Sequence, residues 1–121
     1  MKTILLAEDD PFIVDIYSTA LRQEGYKVDV ALDGETAFKK IKNTLPDLLI
    51  LDMKLPKIDG IELLKMIRQD PQTKNLKVIV VSNFNPRDLF PDTFKLNVIK
   101  CFLKVQTTPE DVVKEIREIL K

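Results

Sequence analysis

The chain has 121 residues, 45% of them hydrophobic and 31% charged, a balance that fits one folded unit with its own core and no more. Nineteen Lys and Arg offset nineteen Asp and Glu, so the broad positive field that nucleic acid requires is missing, and no apolar run approaches a membrane span. Histidine is absent and Cys101 is the one cysteine, which excludes His-based metal sites, His general bases and an internal disulfide.

Met1-Lys2 leads straight into a strand-like run, so no signal peptide is expected. The reading is a single cytoplasmic domain over residues 1–121, with neither nucleic acid nor membrane as partner. Thr3 to Ala7 reads as a strand. From Pro11 to Glu24 the apolar residues Phe12, Ile13, Ile16, Tyr17, Ala20 and Leu21 fall at helical spacing, with Pro11 suited to a first turn and Gly25 to the end. Lys27 to Val30 is a second strand and Gly34 to Asn43 a second helix. Leu48 to Leu51 is a third strand, apolar on both faces. A third helix follows Gly60 and stops before Asp70-Pro71. Val78 to Val81 is a fourth strand, again apolar on both faces. A fourth helix falls between Pro86 and Leu96, short or late because Pro91 would break its interior. Val98 to Leu103 is a fifth strand, and a last helix runs from Thr108-Pro109 to the end.

Five β-α units with strands buried on both faces require helices on both sides of a parallel sheet. Right-handed crossovers then give a doubly wound α/β domain. In such sheets ligands sit beyond the carboxyl ends of the strands. The first strand ends on Glu8-Asp9-Asp10, the third on Asp52, the fourth on Ser82-Asn83 and the fifth on Lys104. Asp10, just before Pro11, is a helix-cap candidate. The others bring acids, a hydroxyl and an ammonium to one sheet edge. Carboxylates there suit Mg²⁺, a hard cation that prefers oxygen. A hydroxyl and a lysine could contact a phosphoryl group, with one acid as nucleophile.

Four segments, "ILLAEDDP" at 4–11, "PDLLILDMKLPKIDG" at 46–60, "VIVVSN" at 78–83 and "FLK" at 102–104, resemble the receiver domain of two-component response regulators. "DGETA" at 33–37 and "TPEDVVKEI" at 108–116 support the match. The resemblance implies a flavodoxin-like (βα)5 fold with sheet order 2-1-3-4-5. It implies Asp52 as phosphoacceptor and Glu8 with Asp9 as the acidic pair for Mg²⁺, Glu8 acting through water. Lys54 would lend its backbone carbonyl to the metal, and Ser82 and Lys104 would contact the phosphoryl group. It further implies a histidine kinase or histidine phosphotransfer protein as donor, and a switching module in place of an enzyme. The alternative is a receiver-like scaffold that binds partners without phosphorylation, a class in which the acceptor set degenerates.

The chain departs from the family pattern in its output half. Val105 stands where proline usually follows the lysine, so a trans Lys104-Val105 peptide is expected, because a cis bond without proline costs about 2.5–4 kcal/mol. Asn97-Val98 replaces Gly-Ala, and asparagine tolerates the left-handed conformation that such a turn needs. Asn83 replaces a small residue, and Phe84 is expected to shield the phosphoryl group from water. Cys101 replaces a common aromatic, with Phe102 expected on the opposite face. The signal is accordingly expected to pass through Asn83 to Leu96.

Overall fold

The structure, a computed structural model, describes residues 1–83 and 95–121. In chain order the elements are β1 (Thr3–Ala7), α1 (Pro11–Gln23), β2 (Lys27–Ala31), α2 (Gly34–Thr44), β3 (Leu48–Leu51), α3 (Gly60–Gln69), β4 (Lys77–Ser82), β5 (Lys100–Leu103), a 3-10 turn (Lys104–Gln106) and α4 (Pro109–Ile119). The strands form one parallel sheet in the order β2-β1-β3-β4-β5, the doubly wound arrangement expected. Positions 84–94, which hold Phe84, Pro91 and most of both the helix expected between Pro86 and Leu96 and the signal route expected from Asn83 to Leu96, lie outside the described residues.

Each of the four α-helices described starts where its sequence provides a cap. Asp10, Asp33 and Asp59 accept from the backbone N–H of Phe12, Thr36 and Glu62 at the starts of α1, α2 and α3. Thr108 and Asp111 form a reciprocal capping box ahead of α4, which satisfies two otherwise orphaned N–H groups. At the far end of α2, Leu45 adopts a left-handed φ of 46° and returns its N–H to Ile41 O.

The sheet separates two cores, because alternate strand residues point to opposite faces. On one side Leu5, Leu49, Leu51, Val78 and Val80 pack with Ala37 and Ile41 of α2 and Leu63, Leu64 and Ile67 of α3. On the other, Ile4, Leu6, Ile50, Ile79 and Val81 meet Tyr17 and Leu21 of α1 and Val112, Val113 and Ile116 of α4. Burying each of these large side chains contributes about 1.5–3 kcal/mol. Cys101 packs on the α2–α3 side and Phe102 on the α1–α4 side, the opposition expected of neighbours on a strand.

β5 begins at Lys100, two residues later than expected. Asn97 sits at φ 56° and Ile99 donates to Val78 O at 2.9 Å, so the chain is still turning into register through Val98 and Ile99. The Arg68 guanidinium fixes this entry. It donates to Leu96 O at 2.7 Å and Asn97 O at 3.3 Å, and from the same fork to Lys74 O and Leu76 O. One edge of the sheet is β2. Lys27 N and Ala31 O bond inward to Lys2 O and Glu8 N, so the backbone N–H and C=O groups of Val28 and Val30 face the open edge while the Val28 side chain stays in the core. Arg22 donates to Val28 O at 3.2 Å, Lys40 donates to Val30 O at 2.8 Å, and the Asp29 carboxylate accepts from Val30 N.

Candidate functional site

Two backbone bonds carry the ladder past the strand ends and fix the acids. Glu8 N donates to Ala31 O and Asp52 N donates to Ala7 O, both at 3.0 Å. Their side chains lie side by side with Asp9. One carboxylate oxygen from each of Glu8, Asp9 and Asp52 lies within 4.8 Å of the others. Glu8 is 2% exposed and Asp52 5%, while Asp9 faces solvent. Asp10 turns away to cap α1, at 2.9 Å from Phe12 N, as its place before Pro11 implies.

Lys104 enters from the opposite side, at the head of the 3-10 turn. Its Nζ lies 2.6 Å from Glu8 Oε1 and 3.2 Å from Asp52 Oδ2. The Lys104-Val105 peptide is trans, since no peptide among the described residues is cis. The turn closes with Thr107 Oγ1 donating to Leu103 O at 2.6 Å. Val105 is carried outward and is 78% exposed. Lys104 thus still points at Asp52 without a proline behind it.

The electrostatics follow from this crowding. Burial pushes the Glu8 carboxyl up to about 7 from its ordinary 4.5. The Asp52 charge adds to the rise, while the Lys104 ammonium and the Asp10 N–H pull against it. Burial works against the Lys104 ammonium too, but the Glu8 and Asp52 carboxylates outweigh it and raise its pKa. Glu8 also accepts from Asp10 N at 3.1 Å through its second oxygen, and Asp52 Oδ1 accepts from Lys54 N at 3.3 Å.

Glu8, Asp9, Asp52, Lys54, Ser82 and Lys104 all line one open cleft of about 600 Å³, together with Asn83, Leu55 and Pro56. Every site residue read from the sequence is therefore in one place. Three converging carboxylates and no competing soft ligand make an oxygen donor set that fits a hard divalent cation such as Mg²⁺. Ser82, 1% exposed, ends β4 on the cleft wall.

Sequence reasoning missed the support beneath the loop that leaves Asp52. Lys57 has a φ of 68°, and Ile58 N donates back to Pro56 O at 2.8 Å, a γ-turn of the rare, strained kind. Pro56 O also accepts from Gly34 N at 3.1 Å. The "DG" at 33–34 was the available signal, since a glycine at a first helical position invites a close approach.

The response regulator receiver domain family model matches residues 4–117. Sporulation initiation phosphotransferase F of Bacillus subtilis is 32% identical over 120 residues, covering 99% of this chain and 91% of that protein. The alkaline phosphatase synthesis transcriptional regulatory protein PhoP of Bacillus subtilis is 47% identical over 68 residues, 56% of this chain and 28% of the relative. The matched stretches cover 26–36% of the length of the first five curated relatives. Several of these relatives are named as transcriptional regulators or DNA-binding, so the balanced charge read above speaks only for this segment. Among solved structures, a response regulator from Chloroflexus aurantiacus superposes with a TM-score of 0.88 at 32% identity, covering 98% of this chain and 97% of that one. The Mn²⁺-bound form of response regulator Rcp1 superposes at 0.83 with 26% identity, covering 98% and 91%. No helix among the described residues is long and apolar enough to cross a membrane. With the motifs, the sheet order and these matches in agreement, the chain belongs to the response regulator receiver domain family, the phosphoacceptor modules of two-component systems that take phosphoryl groups from histidine kinases or phosphotransferases.

Proposed function

We propose that Asp52 is the residue on which this receiver is phosphorylated, and that residues 1–121 act in the cytoplasm as one switching unit. The observation that carries the reading is the Asp52 carboxylate, 5% exposed, with Oδ2 at 3.2 Å from Lys104 Nζ in the cleft it shares with Glu8, Asp9 and Ser82. A carboxylate oxygen of Asp52 attacks the phosphorus of a phosphohistidine on the donor kinase or histidine phosphotransfer protein. The P–N bond breaks, the imidazole leaves as the neutral ring with a proton taken up from water, and an acyl phosphate forms on Asp52. Lys104 and Ser82 bind the incoming phosphoryl oxygens, which draws Lys104 away from Glu8. Asp9, Asp52 and the Lys54 carbonyl would hold Mg²⁺, with Glu8 through water, and the ion would supply positive charge for the transferred group. The chain at most catalyses its own phosphorylation and dephosphorylation.

The test is incubation with Mg²⁺ and acetyl phosphate followed by intact mass. The wild type is expected to gain one phosphoryl group that hydroxylamine removes, and Asp52→Asn none. A hydroxylamine-labile phosphoryl mass on the Asn variant refutes the assignment.

A further inference from the structure

The loop from Asp52 to Gly60 is pinned at two points, and both pins are glycines. At the far end Gly60 N donates to Met53 O at 2.8 Å. A Cβ built on Gly60 would lie 2.5 Å from Met53 Cα and 3.0 Å from Asp52 O. At the near end Gly34, the first residue of α2, donates to Pro56 O at 3.1 Å. A Cβ on Gly34 would lie 2.0 Å from Ile58 O and 2.8 Å from Ile58 C. These are backbone atoms, which cannot swing aside as a side chain can. The γ-turn at Lys57 presses its Ile58 carbonyl into the space that a side chain at position 34 would fill. Lys54 lies between the two pins, one residue after Met53 and two before Pro56.

We propose that Gly34 is a positioning residue for the cation site. It has no contact with the acids and acts through the Pro56–Ile58 turn, which it seats so that the Lys54 carbonyl is held beside Asp52. This rests on the reading of Asp52 and Asp9 as the Mg²⁺ site. The lever is short. Ile58 O must retreat by about 1 Å before any Cβ at position 34 reaches even the shortest tolerable contact of 3.0 Å. Residues that orient metal ligands from outside typically govern affinity by about 10–100-fold. The seat is itself oriented by Asp33. That side chain caps α2, accepting from Thr36 N at 2.7 Å and from Thr36 Oγ1 at 3.0 Å, and its carboxylate lies 4.0 Å from Lys57 Nζ.

The experiment is calorimetric titration with Mg²⁺ alone, without phosphodonor, on four proteins: wild type, Gly34→Ala, Asp33→Ala and Asp33→Ser. Gly34→Ala is expected to bind Mg²⁺ about tenfold more weakly than wild type. Asp33→Ala frays the first turn of α2 and weakens binding by about threefold, whereas Asp33→Ser retains a cap and binds as wild type does. Serine restores stability together with the cap, so the titrations are run where circular dichroism shows all the compared proteins fully folded, and an affinity difference there reports the seat. A folded Gly34→Ala protein with wild-type affinity overturns the inference. If Gly34→Ala does not fold, equal affinities across wild type and the two Asp33 variants overturn it. Failure of the wild type to bind Mg²⁺ at all overturns the functional reading and this inference with it, an outcome distinct from the other two.

Discussion

Replacing Glu8 by glutamine should remove a pH dependence that the wild type carries. In the unfolded chain Glu8 titrates near its ordinary 4.5, whereas in the fold burial beside Asp52 raises it to about 7. Between those values the folded state binds the extra proton, so stability falls as pH rises. The contribution is fully present below about pH 4.5 and is lost as pH rises through about 7. A rise from 4.5 to about 7 corresponds to about 3 kcal/mol. Among the described residues, no other shifted group tilts the same window. The chain has no histidine. Asp29, Asp47 and Asp70 are held below their ordinary range, chiefly by hydrogen bonds from Lys40, Thr3 and Lys42, so they act only below about pH 4. Lys104 is raised and stays charged throughout. The assay is urea unfolding in chelator at pH 5, 6, 7 and 8. With a slope of about 1.5 kcal/mol/M, the wild-type midpoint should drop by about 2 M across the series, while Glu8→Gln stays level. Millimolar Mg²⁺ should flatten the wild-type profile by favouring ionised carboxylates. A level wild-type profile in chelator, or an equal slope in Glu8→Gln, would refute the reasoning.

Lys104→Met leaves Glu8 and Asp52 without their shared ammonium and should cost about 3 kcal/mol in chelator at pH 8, much of it restored by Mg²⁺; equal unfolding midpoints for variant and wild type would contradict this. Arg68→Met strips donors from four carbonyls at once, so a loss of about 2 kcal/mol is expected, with faster amide exchange at Ile99, and unchanged exchange there would show that the clamp does not hold the entry to β5. Thr108→Ala removes half of the capping box and should lower stability by about 1 kcal/mol, read as a shift in thermal midpoint, whereas Thr108→Ser should change it little.

The site acids were legible because strand ends are legible. An apolar run such as Leu48 to Leu51 stops where burial stops, and Asp52 marks the place. Helix starts were equally plain at Asp10-Pro11 and Thr108-Pro109, where caps and fixed φ leave little choice. The start of β5 was not, because Val98 and Ile99 have strand-like side chains while Asn97 holds the backbone in a turn. Nor was the Lys104–Glu8 contact, since the direction of that side chain depends on the 3-10 turn behind it. The seat at Gly34 was hidden for another reason. Its partner Ile58 is distant in sequence, and a missing Cβ leaves no periodicity to read.

The side chains along the open edge of β2 bear on how that strand avoids pairing with another chain. An uncovered strand offers its N–H and C=O groups as a template for another chain, the usual first step of edge-to-edge aggregation. Here two outward carbonyls already hold the charged ends of Arg22 and Lys40, and one outward N–H is taken by Asp29. An incoming strand would have to strip those groups and leave a lysine and an arginine buried against its own backbone. Strand pairing on this side is therefore resisted by three charged residues, and substitutions chosen there for solubility or labelling would open the template they keep closed.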